Sequence, residues 1–205
     1  METINTNTNS RLNNIYLIIS KCLIILTNNL ETKRLILRPF NQDDFELFSN
    51  ILKDHEVSKN LKYVLRSEFE QNIDILFQAI INSNNRSGSI FALVISNKEI
   101  KEDIGSCGFT FSEENNETVC FYMLMPRFRG NGFAIEAMKK LIEYAFLNLN
   151  LPKLTIYINP KSSGIWKVAE RTGMKYMGQI ELNKIYSKAM FFSIEKKEFT
   201  ARQLY

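Results

Sequence analysis

The stretch MPRFRGNGFAIEA, Met125 to Ala137, places two arginines and two glycines within six residues and then enters a run with helical spacing. Glycines two apart free the main chain to adopt left-handed conformations and remove Cβ atoms, so that a bulky anion can approach backbone N–H groups. A helix beginning there points the positive end of its dipole at the same spot. A plain loop-to-helix turn accepts the same glycines, so the flanking sequence has to separate the two readings.

Working outward, TVCFYMLM (118–125) reads as a strand leading into the loop, and AIEAMKKLIEYAFLNL after it carries Ile135, Met138, Leu141, Ile142, Ala145 and Phe146 on one helical stripe. Two further strands, IFALVIS (90–96) and DIGSCGFTF (103–111), precede it, joined by the polar turns NKE and SEENNE into an antiparallel meander. Upstream, RLILRPF alternates Leu35 and Leu37 with Arg34, Ile36 and Arg38 and stops at Pro39. NQDDFELFSNILKDHEV reads as one helix capped by Asn41, with Phe45, Phe48, Ile51 and Leu52 on its apolar side. SEFEQNIDILFQAIINS reads as a second, with Phe69, Ile73, Leu76, Phe77 and Ile80 in line. Downstream come the strand KLTIYIN, the short helix GIWKVAERTG, the strand MKYMGQIEL, and SKAMFFSIEKKEF, a last strand running into a terminal segment. The order β-α-α-β-β-β-α-β-α-β-β predicts an α/β (α+β) domain, with a mixed, mostly antiparallel sheet of about seven strands flanked by about four helices.

Composition narrows the function. The 205 residues, 45% hydrophobic, suffice for one full-sized domain plus an extension. A net charge of +4 without long Lys/Arg blocks suits an anionic small ligand, and no direct nucleic acid binding is expected. Three separated cysteines and a single histidine argue against a disulfide framework and against a metal site. Cys107 and Cys120 fall on strands as small buried apolar residues, and a cytoplasmic setting is the expectation. Residues 1–29 read as an appendage: a polar start, then the apolar run Ile15–Leu26, which falls short of the roughly 20 residues a spanning helix needs and is interrupted by Lys21, so no transmembrane anchor is expected. The domain proper is taken as 30–205.

The loop fails two phosphate-binding patterns. No Gly-Lys-Ser/Thr follows it, and Ile135 stands where a dinucleotide fold needs its third glycine. A third reading is a pyrophosphate seated on consecutive backbone N–H groups at a helix N-terminus. Arg129-Gly130-Asn131-Gly132-Phe133-Ala134 matches position by position the Gln/Arg-x-x-Gly-x-Gly/Ala loop of the GNAT superfamily of acyl-CoA-dependent N-acetyltransferases, which the chain resembles. LETKRLILRPFNQDDFELF, DHEVSKNL, IGSCGF, FYMLMPRFRGNGFAIEAM, VAERTGM and FFSIEKKEF stand in the order and spacing of the branch that includes the ribosomal-protein N-terminal acetyltransferases, so the likeness covers about residues 30–198.

The resemblance implies acetyl-CoA as co-substrate, with no metal, and an amine acceptor, preferably a protein N-terminal α-amine. A small-molecule amine, or a CoA-binding module impaired in catalysis, are its alternatives, and either a monomer or a homodimer fits. It assigns cofactor binding to Leu124, Met125, Arg129, Gly130, Asn131, Gly132, Phe133 and Ala134, with Arg127 and Arg129 adding positive charge beside the pyrophosphate. The strand ending at Leu124 is expected to splay from its neighbour and pair with the pantetheine arm. For the chemistry, Glu117 is the candidate base, or an exposed turn-end glutamate. Tyr122 lines the acetyl pocket or simply packs. Ser162 is a substitute acid or part of the next helix's cap, because the family's two usual donor positions hold Ile165 and Ala169. His55, at the end of the first helix, reads as a solvated loop residue or as a catalytic one near the acceptor cleft, and Trp166 and Tyr157 read as core.

Overall fold

The computed structural model describes residues 29–63, 72–83, 90–112, 117–162, 164–182 and 187–203. The extension expected over 1–29, all but its last residue, lies outside them, as do Phe69 and Ser163. Eight strands form one sheet: β1 (Leu30–Glu31), β2 (Leu35–Pro39), β3 (Ile90–Asn97), β4 (Glu102–Ser112), β5 (Glu117–Leu124), β6 (Lys153–Ile158), β7 (Lys175–Leu182) and β8 (Ser187–Glu195), in the order β1-β2-β3-β4-β5-β6-β8-β7. All neighbours are antiparallel except β5 and β6. The helices are α1 (Phe45–Leu52), α2 (His55–Leu61), α3 (Ile73–Ser83), α4 (Phe133–Leu147), α5 (Ile165–Arg171) and α6 (Lys196–Gln203). This is the mixed, mostly antiparallel α/β arrangement expected. The additions are the two-residue β1, a separate α2, and α6 where the sequence left a terminal segment without assignment.

The sheet is covered on both faces, and its central strands say so. In β3, Phe91, Leu93 and Ile95 enter the core beneath α4, while Ile90, Ala92 and Val94 enter a second core against α1 and α3. A strand buried on both sides reads as an unbroken apolar run. The second core stacks Phe40 edge-on against Phe48 and Phe77, at centroid distances of 5.8 and 6.2 Å. Gly108 is dictated by packing, since a Cβ there would lie 2.0 Å from the Phe91 carbonyl oxygen. On the other face α4 fully buries Met138, Leu141, Ile142, Tyr144 and Phe146. At about 1.5–3 kcal/mol for each large side chain, that burial fixes where the N-terminus of α4 points.

The single helix expected over 41–57 is interrupted. Asn41 caps a 3-10 turn, Gln42–Asp44, which leads into α1, and the helix ends at Leu52. Asp54 then adopts an extended conformation (ψ 124°) and its carboxylate accepts from the Val57 amide, starting α2 afresh. A side-chain cap competes well with helix continuation at such a position. The break redirects α2 so that Glu56, Val57, Asn60 and Leu61 face the cavity described below.

β5 and β6 make the site possible. Among the described residues they pair at one position, Val119 with Thr155. Beyond it the strands diverge, with Cys120, Tyr122 and Leu124 on one wall of the gap and Ile156 and Tyr157 on the other. No helix of the described residues is long and apolar enough to cross a membrane.

Candidate active site

At the end of β5 the chain makes a 3-10 turn, Pro126–Phe128, and then passes through two left-handed glycines, Gly130 (φ 82°) and Gly132 (φ 78°). Gly132 is the residue before the first turn of α4 and has no side chain to cap it. A Cβ on Gly130 would meet nothing within 4 Å, so that glycine opens space as well as relieving strain. No acceptor is present, among the described residues, for the backbone N–H groups of Gly130, Asn131, Gly132, Phe133, Ala134 and Ile135; the first bond of α4 is Glu136 N–H to the Gly132 carbonyl. Unsatisfied donors at a helix start, with the dipole behind them, form an anion site in waiting.

The loop is held from outside. Arg34, just before β2, donates from Nε to Glu136 (2.6 Å) and from Nη1 to the Asn131 carbonyl (3.1 Å), and its guanidinium lies 4.5 Å from the Phe133 ring centroid. Burial alone would raise the Glu136 carboxyl, but bonds from the Thr32 hydroxyl and from the Arg34 amide and guanidinium hold it below the ordinary carboxylate range. The loop arginines are likewise committed. Arg129 donates to Asp54 (2.7 Å), Glu56 (3.0 Å) and the Leu124 carbonyl (3.1 Å), and Arg127 pairs with Glu102 at 2.5 Å. Their positive charge is therefore largely matched by carboxylates already.

A cavity of about 620 Å³ runs along the gap between β5 and β6 and is bounded by the loop, α2 and α5. Of the residues the sequence singled out for the cofactor, Leu124 and Arg129 to Ala134 line it; Met125 does not. The Met125 N–H bonds the Ile104 carbonyl on the β4 side, so the main-chain groups of Leu124, one residue earlier, point the other way; its carbonyl accepts from Arg129 and its N–H faces the gap. The Leu124 side chain meanwhile is core, so that strand backbone and core side chain serve together there.

Two phenols face the cavity. Tyr122, on β5, donates to the Ile165 carbonyl at 3.4 Å. Burial pushes its ionisation well above the usual tyrosine value, the Glu56 carboxylate adds to this, and Arg129 opposes it. Tyr157, on β6, donates to Glu117 at 2.6 Å and stacks on Phe191 at 5.5 Å. Burial and the Glu117 carboxylate raise it too. Glu117 is part of β5 but does not reach the cavity wall; its other oxygen accepts from the Thr155 hydroxyl at 3.0 Å.

Ser162 also stands behind the wall, donating to Asn60 Oδ1 at 3.1 Å, and Asn60 lines the cavity. The residue preceding α5 is Gly164 (φ 85°), with no side-chain cap, so the helix-cap reading of Ser162 does not hold. His55 opens α2 on the exposed surface and is not in the cavity wall. Cys107 and Cys120 are free and buried as expected. Cys120 nevertheless touches the cavity, where burial pushes its thiol up to about 12 and leaves it a poor nucleophile.

Tyr157 is the residue that core reasoning misplaced. In KLTIYI the apolar Leu154, Ile156 and Ile158 alternate with Lys153, Thr155 and Tyr157, and that polar parity was the available signal. Trp166 is partly buried and packs on the core, as expected.

Comparisons with known proteins agree with this architecture. Residues 34–175 match the acetyltransferase (GNAT) domain family. The chain is 30% identical over 178 residues to the uncharacterized N-acetyltransferase p20 of Bacillus licheniformis, covering 83% of this chain and 97% of p20. Among solved structures, a variant of the spermidine N-acetyltransferase SpeG from Vibrio cholerae superimposes with a TM-score of 0.66 at 17% identity, over 84% of this chain and 99% of that one. A Vibrio cholerae protein assigned as a ribosomal-protein-serine acetyltransferase does so with a TM-score of 0.62 at 19% identity, over 82% and 98%. The chain belongs to the GNAT acetyltransferase family and is an acyl-CoA N-acyltransferase.

Proposed function

We propose that the enzyme takes acetyl-CoA at the Arg129–Ala134 loop and transfers its acetyl group to a protein N-terminal α-amine, within the branch of the ribosomal-protein acetyltransferases and in the cytoplasm. The observation that carries the cofactor half is the row of N–H groups from Gly130 to Ile135, without acceptors among the described residues, at the mouth of the cavity. The acceptor half rests on charge. Among the described residues the cavity wall has one carboxylate, Glu56, and Arg129 already pairs with it. A polyamine would bring further ammonium groups with nothing opposite them, whereas a peptide brings one amine.

Bound acetyl-CoA would supply the acetyl group as an activated thioester. The loop amides and the helix dipole hold the pyrophosphate, and the main chain of Leu124 aligns the arm as a neighbouring strand would. Tyr157 accepts the proton that the amine sheds on forming its bond to the acetyl carbon, while passing its own proton to Glu117, so that Glu117 is the base acting through a phenol. Tyr122 returns a proton to the sulfur as the carbon–sulfur bond breaks. It stands on the Ile165 carbonyl, beside the helix position where the family's donor is missing, and its raised pKa keeps it protonated at neutral pH. Ser162 serves by holding Asn60.

Mass spectrometry of reactions with acetyl-CoA, an N-terminal peptide panel and spermidine tests the acceptor. A gain of one acetyl on the α-amine of a subset of peptides, with spermidine unmodified, is the expected outcome. Acetylation of spermidine alone would overturn the acceptor assignment, and tight CoA binding without turnover on any amine would point to the impaired binding module.

A further inference from the structure

The phosphates of CoA outnumber the seats described so far. The pyrophosphate has the loop amides, but the 3′-phosphate on its ribose is a separate group, close to a dianion at neutral pH, and needs cations of its own. The arginines nearest the loop are committed elsewhere: Arg34 to Glu136, Arg127 to Glu102, and Arg129 to Asp54 and Glu56. Two cations in the cavity wall have no carboxylate partner among the described residues, Lys167 and Arg171.

Both belong to α5 and, four residues apart, share one face of it about 6 Å from each other along the axis. Both are exposed. α5 packs beside α4, whose first turn carries the amide row, so the cations and the amides border one continuous space. The start of α5, at Ile165, meets Tyr122 at the reacting end, and Arg171 lies about 9 Å further along the helix. A cofactor with its sulfur near Tyr122 and its pyrophosphate on the loop amides would lie along the same cavity that Lys167 and Arg171 line.

We propose, on the reading that acetyl-CoA is the co-substrate, that Lys167 and Arg171 form the seat of the CoA 3′-phosphate and so select CoA over its 3′-dephospho form. Each supplies a charge-assisted hydrogen bond to the phosphate oxygens, Arg171 through its planar fork and Lys167 as a point charge.

Isothermal titration with CoA and with 3′-dephospho-CoA, on the unaltered protein and on Lys167→Gln and Arg171→Gln, tests this. The unaltered protein should bind CoA about tenfold or more tightly than dephospho-CoA, as expected for two charge-assisted contacts at an exposed site. Each variant should lose several-fold in CoA affinity and leave dephospho-CoA affinity unchanged, closing the gap, with thermal unfolding unaltered. The gap should also narrow as salt is raised. Equal losses for both ligands would overturn the assignment by moving the pair to the pyrophosphate, and so would unchanged affinities in both variants. Binding of dephospho-CoA as tight as CoA by the unaltered protein would overturn it as well while leaving the acetyl-CoA reading intact. Binding of neither ligand would remove that reading together with the inference.

Discussion

Gly132→Glu is expected to lower CoA affinity more than a hundredfold, measured by isothermal titration, while leaving a folded protein. Gly132 has φ 78° and begins the turn into α4. A side chain there costs roughly 1 kcal/mol of left-handed strain, and its Cβ would sit 3.6 Å from the Arg34 guanidinium, an ordinary contact that the fold can absorb. The ligand fares differently. The glutamate would place bulk and a negative charge among the N–H groups proposed to receive a pyrophosphate, and the extended side chain could itself take those donors. Gly132→Ala separates the two causes, since it carries the strain without the charge and should lose far less affinity. CoA affinity unchanged in Gly132→Glu would mean that the phosphate seat is elsewhere.

Tyr122→Phe should reduce kcat by about 10²–10⁴-fold, the usual contribution of a general acid, with little change in KM for acetyl-CoA. The phenol packs beneath α5 and, among the described residues, donates only to a main-chain carbonyl at 3.4 Å, so its loss leaves volume and packing nearly intact. Its pKa is raised chiefly by burial, with Glu56 adding to the effect. An acid whose pKa is raised stays protonated as pH rises through neutrality, so the rate should hold on the alkaline side to at least about pH 10, the ordinary tyrosine value. An unaltered kcat in Tyr122→Phe would return Tyr122 to simple packing. Loss in Tyr157→Phe instead would leave β6, with Glu117 behind it, as the side that handles protons.

How much of this was legible in the sequence depended on the range of the interaction. The loop was readable because left-handed φ at 130 and 132 is a local demand that glycine meets and most residues do not. β3 was readable because burial on both faces leaves a continuous apolar run. The commitments of the charged residues were not. Arg129 looked like phosphate charge in a window of thirteen residues, but its partners Asp54 and Glu56 lie 75 and 73 residues away. They meet it because Asp54 interrupts a helix that continuous apolar spacing had extended to Val57. Tyr157 and Glu117, 40 residues apart, are brought together by the parallel pairing of β5 with β6, the one such pairing among the described residues, which carries no local signature. Lys167 and Arg171 stand out only once the arginines around the loop, Arg34, Arg127 and Arg129, are seen to be paired.

The central claim is that the backbone of the Gly130–Ile135 segment receives the acyl-CoA phosphates. Amide hydrogen exchange followed residue by residue, with and without saturating CoA, addresses it without relying on a variant. The amides of Gly130 to Ile135 have no acceptor among the described residues and should exchange rapidly in the free protein. CoA should slow that group more than any other loop, with a smaller effect at Leu124. Protection elsewhere, with these amides exchanging as fast as in the free protein, would contradict the account.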